Sequence, residues 1–244
     1  MSPNRLFGTL LLAAIVTMTA VAAHAADKVV AANYPPIMIE GDERRPGFAI
    51  EILHEAARRA GRDVAITFVP FQRAMHILQN DPATLMPALF YGKSRNDAFL
   101  WLDKIQTAKL RFATVSGHVD DLETARALGT IAVENESTPH VFLRDLGFQN
   151  LVVVSTPEAS ARMLLNDRVD AWLQSQSITR QTWTELELPE PLVQGEIVHE
   201  VPIFLVASPT LPEEVVIAYR KALNSMRGDG TMKAIWQRYG ISTN

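Results

Sequence analysis

Arg95 is the residue whose type and setting point most directly to small-molecule chemistry in this chain. It lies in the stretch ATLMPALFYGKSRNDAFLW, Ala83 to Trp101, where an apolar strand runs into a short glycine-containing loop and then an aromatic pair, Phe99 and Trp101. A guanidinium holds a carboxylate through two parallel hydrogen bonds and keeps its charge at any physiological pH. The same spacing also allows a plain surface ion pair with Asp97 or Asp103. Ser137 and Thr138 offer a second kind of anion chemistry. They precede Pro139 at an expected helix start, and a helix N-terminus presents unpaired N–H groups and a positive dipole end. Ordinary capping explains the same hydroxyls without any ligand. Tyr34, at a strand end, and Phe71, in Pro70-Phe71-Gln72-Arg73-Ala74, are placed to wall the apolar part of a ligand, with Arg73 as a second cation. Core packing would use Phe71 equally well, and Arg73 equally suits a solvated first turn.

Catalytic groupings are thin. Beyond residue 25 the histidines (His54, His76, His118, His140 and His199) are scattered, with no His-x-x-x-His pair and no nucleophile elbow. No two carboxylates stand out by spacing as an acid/base couple. The reading is of a binding protein, not an enzyme, with no metal and no cofactor.

Alternating strands and helices must position these groups, which predicts an α/β fold with mainly parallel sheets. Strands are expected over Lys28–Ala32, Asp63–Val69, Thr84–Tyr91, Leu110–Ser116, Gly129–Val133, Leu151–Val154, Val169–Gln174 and Val201–Ala207. Helices are expected over Gly47–Ala60, stopped by Gly61, and over Gln72–Leu78, Ile178–Leu186, Pro212–Met226 and Thr231–Tyr239. Two further helix starts look alike, Ser137-Thr138-Pro139 and Ser155-Thr156-Pro157, each with a hydroxyl before a proline.

Residues 1–25 read as a cleaved signal peptide. Arg5 supplies the positive end, Leu6–Ala22 the apolar stretch and Ala23-His24-Ala25 the small-x-small site. The alternative is a membrane anchor of borderline length. With no cysteine the chain has no lipid-attachment thiol and no disulfide. The expected product is therefore a soluble, monomeric periplasmic protein. Losing Arg5 takes the 23 basic residues to 22 against 27 acidic ones, a net charge of −5. That balance argues against nucleic acid or an anionic membrane as partner.

With its flanking segments, the Arg95 stretch resembles the bacterial extracellular solute-binding proteins of the polar-amino-acid type, family 3. The tail Asp229-Gly230-Thr231 to Gly240 resembles that family's closing helix. The resemblance implies a two-lobed periplasmic-binding-protein-like fold (type II), each lobe a mainly parallel sheet flanked by helices, joined by a two-strand hinge. Lobe 1 would comprise residues 26–106 plus 207–244, and lobe 2 residues 107–206. The family's loop usually reads Thr-x-x-Arg, its arginine holding the ligand carboxylate; here it reads Gly92-Lys93-Ser94-Arg95. The family commonly has Gly-Ser/Thr-Thr where this chain has Glu136-Ser137-Thr138, so Glu136 either points to solvent or meets a cationic group of the ligand. In a subset of the family Pro-Trp-x-Arg-Ala stands where Phe71 and Arg73 are found.

Aligning Val169-Asp170-Ala171 with the family's Asp-Ala puts Ser175, after Gln174, where amino-acid binders place an aspartate for the ligand's ammonium group. Small hydroxyl residues often precede the arginine by seven and five positions; here those positions hold Ala88 and Phe90. The implied ligand is a small, carboxylate-bearing molecule less polar than, or charged differently from, an α-amino acid. Its proposed contacts are Tyr34, Phe71, Arg73, Phe90, Arg95, Ser137, Thr138, Gln174 and Ser175. The implied partner is an inner-membrane ABC-type permease or a membrane sensor. A dehydratase on the same scaffold is the enzymatic alternative, with Glu136 as its acid.

Overall fold

The structure is a computed structural model that describes residues 26–241. The signal-peptide expectation, residues 1–25, lies outside them. β1 (Asp27–Ala31) leads through α1 (Phe48–Ala60) to β2 (Val64–Phe68), and α2 (Phe71–Asn80) leads to β3 (Thr84–Phe90). β2, β1 and β3 lie side by side and parallel. Both faces of this sheet are covered, so β1 is apolar from Val29 to Ala31 after its charged start, Asp27-Lys28. Alternation along the strand sends Val29 and Ala31 towards α1, and Val30 to the opposite face with Ala74 and Leu78 of α2.

A short 3-10 turn, Lys93–Ala98, then opens onto β4 (Leu100–Thr114). The second group of elements is α3 (Leu122–Arg126), β5 (Ile131–Glu134), α4 (Thr138–Asp145), β6 (Leu151–Val154), α5 (Pro157–Leu165), β7 (Ala171–Ser175) and α6 (Gln176–Glu185). β5 pairs in parallel with both β6 and β7. β8 (Val193–Gln194) borders β4, and β9 (His199–Ala207) returns the chain to the first group, where α7 (Glu213–Gly228) and α8 (Thr231–Arg238) close it.

The strand order is β2-β1-β3-β9-β4-β7-β5-β6. Two parallel three-stranded ends are therefore joined by the antiparallel pair β4 and β9, which matches from Leu100↔Ala207 to Leu110↔His199. These two strands are the connection between the ends. β4 is far longer than the strand expected over Leu110–Ser116: it starts ten residues earlier, at Leu100. Charged Asp103, Lys104 and Lys109 interrupt the apolar alternation there, and pairing with β9 supplies the backbone bonds that local sequence does not signal. α3 and β8 lay outside the sequence reading as well.

The two similar helix starts differ by one residue. Ser137 Oγ accepts the His140 N–H at 3.3 Å, so Thr138 is the first residue of α4 and Pro139 the second. Thr156 Oγ accepts the Ala159 N–H at 3.2 Å, so Pro157 itself begins α5. Ser175 caps α6 in the same manner, accepting the Ile178 N–H at 3.4 Å.

Candidate ligand-binding site

Between the two parallel ends lies a partly open cleft, in which the space between atoms, open solvent included, is about 460 Å³. One wall comes from the β1 end. Tyr34, Ile37 and Met38 follow β1, Phe71 opens α2, and Ala88, Leu89 and Phe90 finish β3. The other wall comes from the β5 end, with Ser137, Thr138 and Pro139 at the start of α4, Gln174 of β7 and Ile178 of α6. These groups gather at the carboxyl ends of parallel strands, where α/β sheets place their ligands. The lining is mostly apolar. Tyr34 and Phe71 meet edge to face, ring centroids 5.7 Å apart.

The Tyr34–Met38 segment is fixed from behind. The Phe48 N–H donates to the Pro36 carbonyl at 3.1 Å and the Ala49 N–H to that of Ile37 at 3.0 Å, at the first turn of α1. This close approach requires Gly47, whose φ is 99° and where any Cβ would collide with the Ile37 carbonyl.

Arg95 supplies the cavity's cation. Its side chain folds back over Gly92, where a Cβ would lie 3.3 Å from Arg95 Nε; the absent threonine thus leaves room for the guanidinium. Nη2 donates to the Glu136 carbonyl at 3.0 Å, across the cleft, while Nη1 is buried without a partner among the described residues. Burial lowers its pKa, opposed by Glu136 and assisted by Arg144, yet an arginine stays protonated. Neither Asp97 nor Asp103 pairs with it among the described residues; Asp103 is taken by Arg227 at 3.1 Å. The turn carrying Arg95 is itself anchored at Asn96. The Trp101 indole donates to the Asn96 carbonyl at 2.9 Å, and the Tyr91 hydroxyl donates to its side-chain oxygen at 3.1 Å. Tyr91 and Trp101 pack edge to face at 5.1 Å.

A second donor crosses the cleft beside it. Gln72 Nε2 donates to the Asn135 carbonyl at 2.7 Å, so two side chains from the β1 end hold one turn of the β5 end. Glu136 sits in that turn with φ 52°, the left-handed region, which explains why glycine suits this place in similar chains. Its carboxylate is exposed and paired with Arg144 Nη1 at 3.0 Å, and its N–H donates to His140 Nδ1 at 3.0 Å. Of the two orientations open to Glu136, the solvent-facing one is found.

Of the nine residues expected to contact a ligand, Tyr34, Phe71, Phe90, Arg95, Ser137, Thr138 and Gln174 border this cavity. Arg73 lies on the exposed face of α2 and Ser175 is committed to capping α6; neither is part of the lining. Sequence reasoning missed Ile37, Met38, Leu89, Pro139 and Ile178; an apolar pair after a double proline was a signal for the first two alone. It also missed Glu134, behind the β5 wall. That carboxyl is 1% exposed and accepts from Ser160 Oγ at 2.7 Å, Trp172 Nε1 at 2.9 Å and Gln174 Nε2 at 2.6 Å. Burial pushes its pKa up to about 7 against those three bonds. Among the described residues no group of three His, Asp or Glu side chains could hold a metal ion, and no helix is long and apolar enough to cross a membrane.

Comparison with known proteins places this geometry. Residues 28–242 match the family of bacterial extracellular solute-binding proteins, family 3. No curated protein sequence matches the chain. A histidine kinase sensor domain with similarity to periplasmic binding proteins superposes with a TM-score of 0.79 at 17% identity, covering 87% of this chain and 95% of that one. An ancestral arginine-binding protein bound to arginine gives 0.76 at 17% identity, covering 87% and 97%. The arginine-, lysine-, histidine-binding protein ArtJ of Geobacillus stearothermophilus gives 0.71 at 15% identity, covering 87% and 94%. Identities this low establish the fold alone, a two-lobed periplasmic-binding-protein fold. The match along nearly the whole described length settles the family: the chain belongs to the bacterial extracellular solute-binding proteins, family 3.

Proposed function

We propose that this chain is a periplasmic receptor that closes two lobes, residues 26–106 plus 207–244 and residues 107–206, around a small carboxylate with an apolar body. The observation that carries the reading is the buried Nη1 of Arg95, without a partner among the described residues, on a side chain that borders a cavity otherwise lined mostly by apolar side chains. A buried donor without a partner is costly, and a ligand carboxylate removes that cost. Tyr34, Phe71 and Phe90 enclose the apolar body; Thr138 and Gln174 offer hydrogen bonds from the far wall. An α-amino acid fits less well, since among the described residues no carboxylate lines the cavity to receive its ammonium group. The enzymatic alternative loses its proposed acid, because Glu136 faces solvent.

Delivery to an ABC-type permease is the partnership this reading favours. The likeness to a histidine kinase sensor domain supports a second one, ligand reporting to a membrane sensor. Pull-down of the purified protein with inner-membrane components separates the two. The ligand class is tested by thermal shift against amino acids, 2-oxo acids, aromatic acids and polyamines. The expected result is a raised melting temperature with carboxylates that lack an ammonium group, abolished in Arg95→Ala. Shifts that survive Arg95→Ala would overturn the assigned role of Arg95, and shifts confined to amino acids or polyamines would overturn the ligand class.

A further inference from the structure

Glu134 ends β5 in an enclosed position with no cation within 4.0 Å among the described residues. The neighbouring elements carry few titratable or charged groups: His140, Arg144 and Asp145 on α4, Glu158 and Arg162 on α5, and Tyr34 and Arg95 across the cavity. β6 and β7 carry none. Arg144 is engaged by Glu136 and Asp145, and Arg162 is exposed. The carboxyl is therefore held by neutral donors alone. Two of them, the Trp172 indole and the Gln174 amide nitrogen, can only donate; the Ser160 hydroxyl can also accept. A proton on Glu134 therefore sits on Oε1 with Ser160 reversed, and Oε2 goes on accepting from Gln174.

Gln174 stands between this carboxyl and the cavity. Its nitrogen donates to Glu134, while its oxygen accepts the Ser175 N–H at 2.7 Å. Turning the amide over would set donor against donor at Ser175 and leave Glu134 Oε2 facing an acceptor. We propose that Glu134, which lines no part of the cavity, is a positioning residue of the ligand site: it holds the Gln174 amide in one orientation and so fixes the hydrogen-bonding groups that the β5 wall presents to a bound carboxylate. This deepens the ligand reading given above and rests on it. Burial raises the pKa of Tyr34 on the opposite wall, and the charges of Glu134 and Glu158 add to it. Ionised Glu134 then opposes an anionic ligand, and neutral Glu134 admits it.

The test has a part that needs no ligand. In nitrogen-15 spectra of the purified chain, the Gln174 side-chain amide pair should titrate with a midpoint near the Glu134 value of about 7. It should lose that titration in Glu134→Gln, while circular dichroism reports an unchanged fold. An amide pair unmoved by pH in the wild type, or unaltered in the variant, overturns the proposal. The second part uses 4-methyl-2-oxopentanoate and L-leucine, which share a skeleton, as probes in titration calorimetry at pH 5.5 and 8.5. The expected result is oxo-acid binding about tenfold weaker at the higher pH, as like-charge repulsion across a cavity requires, and a flat profile in Glu134→Gln. Oxo-acid binding that is equally pH-dependent in the variant overturns the link to Glu134. An amide that titrates while neither probe binds supports the positioning role and counts instead against the ligand class.

Discussion

Two buried carboxyl groups, Asp27 and Glu134, stand at opposite ends of parallel strands and are treated in opposite ways. Asp27 begins β1, at the edge remote from the cavity, and accepts both arms of the Arg62 guanidinium at 2.6 Å together with the Tyr219 hydroxyl at 2.7 Å. That bonding raises the pKa of Arg62, and burial together with Asp27 raises that of Tyr219. The cluster ties β1 to the loop before β2 and to α7, joining the start of the chain to its returning end. Glu134 ends β5 behind the cavity wall, and among the described residues its side-chain partners are neutral donors. A carboxylate that accepts both arms of a guanidinium and a tyrosine hydroxyl is a fixed structural joint. A carboxyl held only by neutral donors is left titratable, and such a group beside a cavity is a functional candidate.

The largest expected effect tests the structural side of this contrast. Arg62→Leu strands the Asp27 charge in the interior and should destabilise the protein by about 3–5 kcal/mol in urea unfolding. A loss below about 1 kcal/mol would mean that water reaches Asp27 and that the two carboxyls are not so different. Next comes the pH dependence of Glu134. Its value of about 7 in the folded chain lies above its ordinary 4.5. Its contribution to stability is therefore present in full below pH 4.5 and is lost as pH rises through about 7. Relative to Glu134→Gln, the wild type should lose roughly 3 kcal/mol between pH 4.5 and 8. Parallel stability profiles for the two proteins would remove the distinction between Glu134 and Asp27.

Trp101→Phe sharpens the cavity side. It removes the indole bond to Asn96 while keeping the aromatic packing, and should cost about 1 kcal/mol of stability. Carboxylate binding should weaken by more than that, because the turn carrying Arg95 loosens; calorimetry on the same samples measures both. The smallest effect is expected at the exposed Lys28–Asp81 pair near the Asp27 end. Lys28→Ala should change stability by less than about 1 kcal/mol, as surface pairs do, and added salt should erase the difference.

Much of this site was legible along the chain. Arg95 follows a buried strand, Tyr34 and Phe71 stand at element starts, and Ser137–Thr138 precede a proline; each is a local signal with a local cause. Other parts had no local signature. Glu134 sits in the apolar run Ile131-Ala132-Val133 as one more charged strand end, and only the meeting of β5, β7 and α5 surrounds it with Ser160, Trp172 and Gln174. The first half of β4 was illegible because its partner, β9, lies some hundred residues away in sequence. Serine hydroxyls misled for a different reason: Ser175 has the right place for a ligand contact, and its oxygen caps a helix instead.

Composition, export-type patterning and the alternation of strand and helix belong to the sequence, because they follow from residue type and short-range period. The arginine and the aromatic side chains were fixed there too. The tertiary structure decided which groups face one another across the cleft. It turned Glu136 outward to Arg144, gave one arm of Arg95 to a backbone carbonyl and left the other without a partner among the described residues. It also enclosed Glu134 away from any cation. Those outcomes depend on elements distant in sequence, and burial and pairing arise only when such elements meet.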